Sequence, residues 1–240
     1  LMKKIIKNNR FLPYGKQNIS NIDIKQINSV LRSNYITQGP IIEEFENKFS
    51  KYVGSKYAVA CSSGTAALHL SCLALNINKK SRVVTSSITF IASANCAEFV
   101  DSKLDLVDVE KNSYCICPDS LEKKLKKNKI DLVIVVHLSG HCADLKKIQL
   151  LKKKYKFRLI EDACHGLGGE YMGKKIGSCE YSDLSTFSFH PVKSMTTGEG
   201  GMITTNNKSL FEKLKILRSH GVIRSKKLFK NKKYALDNLD

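Results

Sequence analysis

Apolar and polar positions along this chain repeat with two different periods, in turn. Short runs rich in Val, Ile and Leu predict strands at YAVACSS (57–63), RVVTSS (82–87), KLDLVDV (103–109), DLVIVVHLS (131–139), FRLIEDA (157–163), DLSTFSFH (183–190) and GMITTN (201–206). Between them, apolar residues recur at helical spacing in IIEEFENKFSKYV (41–53), TAALHLSCLALN (65–76), ITFIASANCAEFV (88–100), PDSLEKKLKK (118–127), DLKKIQLLKKKY (144–155) and SLFEKLKILRSH (209–220). Strands separated by helices imply βαβ units. The predicted fold is therefore α/β, a three-layer sandwich around a mostly parallel central sheet. No internal repeat or low-complexity linker interrupts the pattern.

Sheets of this kind bind ligands beyond the C-terminal ends of their strands. Three polar groups fall there: Ser63-Gly64-Thr65, His137 to Gly140, and Glu161-Asp162.

Composition narrows the class. With 240 residues and 42% hydrophobic content, the chain can bury one sizeable core and is not a disordered sequence. Apolar runs such as Leu132–Leu138 are too short to span a bilayer, so no membrane partner is expected. LMKKIIKNNRFLPYG contains no apolar segment of signal-peptide length, and a cytoplasmic protein is the reading. The eight cysteines form no CxxC and fit no zinc spacing, which predicts reduced thiols and no metal site.

The formal net charge of +18 raises the possibility of a nucleic-acid module. Only six of the 40 basic residues are Arg, however, and the lysines spread over helix faces, as in LEKKLKKNK (121–129) and LKKIQLLKKKYK (145–156). Phosphate-tracking surfaces usually cluster Arg and interleave aromatics. Solvated helix faces are the preferred reading, with no nucleic-acid partner. A non-catalytic basic module is the alternative, and it predicts steeply salt-dependent binding to duplex DNA. The absence of GxGxxG after the first strands argues against a dinucleotide protein.

Three segments carry candidate chemistry. SSGTAALHL (62–70) places Ser-Gly-Thr between a strand end and a helix start, where unpaired N–H groups and the helix dipole favour an anion. Alone, it reads first as a plain Ser/Thr N-cap. LIEDACHGLGGEY (159–171) delivers Glu161 and Asp162 to a strand end; such a carboxylate can pair with a cationic ring nitrogen, and His165 could donate to a phenolic oxygen on the same ring. Alone, an ED pair is also an N-cap or a metal ligand. STFSFHPVKSMTTGEGGMITTN (185–206) frames Lys193 between strand-like runs, with Gly198, Gly200 and Gly201 for a tight return. An amine desolvated near other positive groups has a lowered pKa and can condense with an aldehyde. A phosphate cup, a carboxylate for a pyridinium and a Schiff-base lysine together predict a pyridoxal 5'-phosphate site.

These segments, with ITQGPIIEEFE (36–46), ITFIASAN and VHLSGHCADL, give a resemblance that covers nearly the whole chain. The sequence resembles the DegT/DnrJ/EryC1/StrS family of sugar-nucleotide aminotransferases. The resemblance implies the large domain of a fold-type I pyridoxal-phosphate transferase over residues 1–240, with the family's small C-terminal domain missing. It implies a homodimer with the active site at the interface. By position, Lys193 would hold the cofactor and later shuttle a proton. Asp162 would face the pyridine nitrogen and His165 the 3-oxygen, with Phe90 stacked on the ring. Gly64, Thr65, Ala66 and Ser188 would hold the phosphate. Lys193 argues against family variants that carry His there and act as dehydratases. LPYGKQNIS, EDACH and LRSHGVIRSKK (217–227) fit the subgroup of pseudaminic acid biosynthesis, which implies transfer of an amino group from L-glutamate to C4 of a UDP-linked 4-keto-6-deoxy-2-acetamido sugar. Another keto sugar is the alternative.

Overall fold

The computed structural model describes residue 13 and residues 15–222. The targeting reading of the first residues, the tail 224–240 and parts of the LPYGKQNIS and LRSHGVIRSKK likenesses lie outside the described residues.

In chain order the elements are α1 (Asn21–Leu31), α2 (Pro40–Val53), β1 (Tyr57–Cys61), α3 (Gly64–Ala74), β2 (Arg82–Ser86), α4 (Ala92–Glu98) and β3 (Lys103–Val107). They continue with α5 (Pro118–Lys127), β4 (Leu132–Val136), a 3₁₀ turn (Leu138–Gly140), α6 (Leu145–Tyr155) and β5 (Arg158–Asp162). Last come β6 (Glu170–Tyr171), β7 (Lys174–Lys175), β8 (Leu184–Ser188), β9 (Gly201–Thr205) and α7 (Lys208–Arg218).

Seven strands form one sheet in the order β1-β9-β8-β5-β4-β2-β3, and β6 and β7 make a separate hairpin. The pairs β8–β5, β5–β4, β4–β2 and β2–β3 are parallel. Strand β9 is antiparallel to both β8 and β1, so β1 points the same way as the parallel set. All strands but β9 thus deliver their C-terminal residues to one edge.

Helices cover both faces. Phe49 and Val53 of α2, Leu121 and Leu125 of α5, and Leu145 and Ile148 of α6 pack on one side with Val133, Val135 and Leu159. Ala67, Leu68 and Cys72 of α3, Cys96 and Ala97 of α4, and Leu214 of α7 pack on the other, with Leu132, Ile134 and Ile160. The β4 sequence LVIVV is buried at every position because both of its faces are core, the usual signature of a central parallel strand.

Local chemistry sets the boundaries. Helix α2 opens with Pro40 in its first turn and closes on Gly54, whose φ of 79° suits glycine. Asp144 and Asn207 cap α6 and α7 by accepting from the N–H groups of Lys147 and Leu210. Phe49 meets the rings of Phe187 and Phe189 edge-on, at centroid distances of 5.0 and 5.6 Å. Each such buried ring contributes about 1.5–3 kcal/mol. By strand alternation, this cluster turns Ser188, which lies between the two rings, toward the α3 face.

Two stretches depart from expectation. Helix α1 was not foreseen: a Ser20–Asp23 capping box starts it and Ile24, Ile27 and Leu31 recur at helical spacing, but none of its residues is buried. The helix expected over 88–100 spans only Ala92–Glu98, because residues 88–91 form an open turn that leaves Ile88, Phe90 and Ile91 exposed.

Candidate active site at the C-terminal edge of the sheet

The site is assembled from strand ends. At the close of β1, Ser63 caps α3, its Oγ accepting from Ala66 N–H at 3.0 Å. That occupies the N–H of one residue expected in the phosphate cup. The N–H groups of Gly64 and Thr65 have no acceptor among the described residues and point out of the helix start. Gly64 is required sterically: a Cβ there would come within 2.8 Å of Ser188 Cβ and 3.0 Å of Cys164 Sγ. A Cβ on Gly201 would lie 2.3 Å from Ser63 O. These contacts bring the start of α3, the end of β8 and the loop after β5 together.

Strand alternation divides the two acids of β5. Asp162 points to the α3–α4 face and Glu161 to the α5–α6 face. Asp162 is 5% exposed. Its Oδ2 accepts from Ser93 Oγ at 2.6 Å, and its Oδ1 from Cys164 N–H at 3.1 Å. No Lys, Arg or His lies within ion-pairing distance of it among the described residues. A buried carboxylate held by two neutral donors keeps unused lone pairs and lacks a counter-charge.

Lys193 is half-buried in the loop between β8 and β9, its N–H donating to His190 O at 2.9 Å. It lines an open cleft of about 270 Å³ with Ser139, Cys164, His165, Val192 and Ser194. His165 Nδ1 accepts from Ser139 N–H at 3.2 Å, which leaves Nε2 as the protonated nitrogen. Burial, and then the positive charge of Lys193, lower the His165 pKa below its ordinary value, while Asp162 acts in the opposite direction. Burial first, then the Asp162 charge, pushes the Cys164 thiol well up. Burial likewise raises Cys61 to about 11. Both thiols are therefore neutral near pH 7, and among the cleft's nucleophiles Lys193 is left without a thiolate competitor.

The structure thus gathers Gly64, Thr65, Ser188, Asp162, His165 and Lys193 at one edge. Phe90 stands before α4 and is 68% exposed, so it is no core residue. It connects to the acid through neighbours: Thr89 Oγ1 and Ser93 Oγ lie 3.0 Å apart, and Ser93 donates to Asp162. Ser93 was missed in the sequence although ITFIASAN contains it. Nothing marks a helical serine as a carboxylate partner until the fold brings α4 over β5. His137 was expected at this edge but not as a partner of Glu161, and Ser182 was missed; the two hold Glu161 on the opposite face. All eight cysteines are free. Among the described residues no cluster of His, Cys, Asp and Glu could hold a metal ion, and no helix is long and apolar enough to cross a membrane.

The C-terminal edge of this α/β sheet thus brings together a helix start with free N–H groups, a buried acid without a counter-charge and an amine without an ion-pair partner among the described residues. Comparison with known proteins identifies the family. Residues 17–238 match the model of the DegT/DnrJ/EryC1/StrS aminotransferase family, and the chain belongs to it. It is 43% identical over 217 residues to the UDP-4-amino-4,6-dideoxy-N-acetyl-beta-L-altrosamine transaminase of Campylobacter jejuni strain 81-176, covering 90% of this chain and 57% of that protein. Among solved structures it is similar to Helicobacter pylori PseC, described as an aminotransferase involved in the biosynthesis of pseudoaminic acid, with a TM-score of 0.82, 32% identity, and coverage of 89% of this chain and 57% of that one. It is also similar to the putative sugar aminotransferase Spr1654 of Streptococcus pneumoniae in its PLP form, with a TM-score of 0.83, 28% identity, and coverage of 90% and 60%. The chain spans little more than half the length of the curated relatives it matches.

Proposed function

We propose that this chain forms the cofactor-binding part of a pyridoxal-phosphate-dependent aminotransferase acting on a UDP-linked keto sugar. One observation carries the reading: Asp162 is a buried carboxylate without a cation, beside a cleft that contains Lys193. A pyridinium N–H supplies the missing positive partner.

The residues present fit the group. The free N–H pair of Gly64 and Thr65 and the Ser188 hydroxyl suit a phosphate dianion. Exposed Phe90 offers a ring face, and the Nε2–H of His165 is a donor for a phenolic oxygen. Lys193 would hold the aldehyde carbon through Nζ. When bound, the cofactor supplies an electron-withdrawing ring that allows an amino group to be moved from one carbon to another.

The chain's own groups then have separate tasks. Asp162 would keep the ring nitrogen protonated, with Ser93 and the Cys164 N–H fixing the carboxylate's orientation. Lys193 Nζ, once released from the aldehyde carbon, would take the α-proton of the amino donor and deliver it to that same aldehyde-derived carbon. His165 stays neutral near pH 7 and so donates a hydrogen bond without adding charge.

For substrates, the reading is transfer from L-glutamate to C4 of a UDP-linked 4-keto-6-deoxy-2-acetamido sugar, as in pseudaminic acid biosynthesis. Its support is the 43% identity to the Campylobacter transaminase and the likeness to PseC. A homodimer with the site at its interface belongs to the same proposal, supported by the exposed Ile88, Phe90 and Ile91 around the site.

The test is an absorbance spectrum with pyridoxal 5'-phosphate, followed by amino transfer from glutamate to a panel of UDP-keto sugars. Lys193→Ala is expected to abolish the lysine-bound visible band and turnover. If the band persists in that variant, the assignment of Lys193 fails. Salt-dependent duplex-DNA binding with no cofactor colour would favour a basic nucleic-acid module.

A further inference from the structure

The face of β5 opposite Asp162 holds a second polar network that the proposed chemistry does not use. Glu161 and His137 are both buried, 2% and 0% exposed. His137 Nε2–H donates to Glu161 Oε2 at 2.9 Å, and Ser182 Oγ donates to Oε1. Ala143 N–H donates to His137 Nδ1 at 3.3 Å, which fixes that ring as the neutral Nε2–H tautomer. His137 N–H donates to Asp162 O at 3.1 Å. The imidazole therefore ties both ends of the loop 137–143 to β5, one through its backbone and the other through Nδ1.

The loop between these anchors is tightly wound. Gly140 N–H donates to His137 O, and His141 N–H to Leu138 O. Ser139 has φ 53° and ψ 23°, the left-handed region that is unusual for a serine. That conformation aims Ser139 N–H at His165 Nδ1. Gly140, at φ +86°, keeps the loop close enough that a Cβ would lie 3.2 Å from His165 O. Such a conformation is unfavourable for a non-glycine residue and persists only where its surroundings enforce it.

We infer that Glu161 and His137 are positioning residues for His165. The buried pair holds the 137–143 loop in a strained form, the loop directs Ser139 N–H to Nδ1 of His165, and the Nε2–H of His165 is thereby committed to the cleft that contains Lys193. The part of this inference that concerns what His165 meets in the cleft rests on the cofactor reading above. The part that concerns the tautomer and its anchoring stands on this chain alone.

The motif neighbours fit this division. Glu161 and Asp162 are adjacent, and strand alternation sends one to each face. One acid is left open toward the cleft, and the other is closed by His137 and Ser182. A backbone N–H can donate to Nδ1 only while His165 is neutral, so the loop and the partial desolvation of this otherwise exposed side chain favour the same protonation state. Lys193 and Asp162 are the charged groups that act on His165, with opposite signs.

The test is direct observation of the His165 ring nitrogens by long-range proton–nitrogen correlation in the cofactor-free, isotope-labelled chain, with a pH titration. The unaltered chain is expected to show a single Nε2–H tautomer and a titration midpoint below 6.5. In His137→Phe, which keeps a ring but removes both side-chain bonds, the His165 nitrogens are expected to move toward the tautomer average and the midpoint to rise toward 6.5. His137→Gln, which retains a donor for Glu161, should restore most of the original signature. Unchanged His165 nitrogens and midpoint in a folded His137→Phe chain would overturn the inference. Should that variant not fold, Glu161→Leu, which removes both acceptors, is expected to shift His165 in the same direction, and an unshifted His165 in that folded variant overturns it equally. Failure of the cofactor reading would show separately, as the absence of a bound-cofactor band, and leaves the ring-nitrogen result intact.

Discussion

The two edges of the central sheet treat charge in opposite ways. At the edge where the parallel strands begin, acids are matched with bases. Asp183 takes Lys152 at 2.8 Å and Arg158 at 3.6 Å and accepts from Leu159 N–H. Asp105, midway along β3, takes Arg82 from the start of β2 at 3.1 Å and Lys124 at 3.2 Å. At the edge where those strands end, Asp162 is buried with hydroxyl and amide donors only, and Lys193 has no carboxylate within ion-pairing distance among the described residues. Folding stability alone favours the first arrangement. The second leaves a buried charge short of a partner, which costs free energy unless something else arrives to complete it. The difference between the edges therefore points to where a ligand belongs, and the same difference can be tested by mutation.

The largest effect is expected where the uncompensated acid is neutralised. Asp162→Asn keeps the shape and part of the hydrogen bonding but removes the charge. If Asp162 serves a ring cation, this loses a charged hydrogen bond of about 3 kcal/mol, or roughly 100-fold in turnover. Stability should hold or rise slightly, because the burden of a buried charge is removed. Steady-state rates read alongside a urea midpoint check both halves. A loss of stability with normal turnover would reverse the roles assigned to the two edges.

Next in size is the mirror experiment at the matched edge. Asp183→Ala removes the partner of Lys152, Arg158 and Leu159 N–H, on a side chain only 15% exposed. The expected loss is about 2 kcal/mol, seen as a lower urea midpoint with an unchanged slope. Cofactor affinity should not change. A fall in affinity as large as the fall in stability would show that the edges are not independent.

How much of this contrast was legible in the sequence depends on what each residue needs around it. The strand and helix order was readable because burial on two faces leaves long apolar runs, as in LVIVV of β4. The placement of Gly64 and Asp162 at the strand-end edge was readable because their neighbours are sequence-local: Ser63 caps its own helix and Cys164 N–H serves Asp162 two residues back. Ser93 and His137 were not readable in their roles. Each acts on a β5 carboxylate 69 or 24 residues away, and only the packing of α4 and β4 against β5 creates the contact. The division of Glu161 from Asp162 was implicit in strand alternation, but which acid faced the cleft required knowing which helices covered which face. Helix α1 is the opposite case: its capping box and its Ile24, Ile27 and Leu31 at helical spacing are local signals, but none of its residues is buried.

A smaller effect separates proposed site from core within the strand-end edge itself. Phe90 touches no core, so Phe90→Ala should leave the urea midpoint within about 0.5 kcal/mol of the original. Removing a stacked aromatic face should weaken cofactor binding by about 1 kcal/mol, roughly five-fold. Fluorescence titration with pyridoxal 5'-phosphate measures the second quantity. If stability falls and affinity holds, Phe90 is a packing residue.

The smallest effect is the most specific to the unmatched charges. The His165 pKa lies below 6.5 in the folded chain, through burial first and Lys193 second. Between that lowered value and 6.5 the unfolded chain binds more protons than the folded one, so stability rises with pH across the window. The contribution is complete above 6.5 and is lost as pH falls through the folded value. His165→Gln should flatten that part of a urea-midpoint profile and leave the profile near pH 7.5 in place. The two neighbouring charges make the sign testable twice more. Lys193→Ala removes a cation and should raise the His165 midpoint, and Asp162→Asn removes an anion and should lower it. Opposite shifts in these variants would demonstrate that an amine and an acid with no ion pair between them act on the same ring. Two shifts of one sign would mean that His165 responds to loop packing rather than to the charges of the cleft.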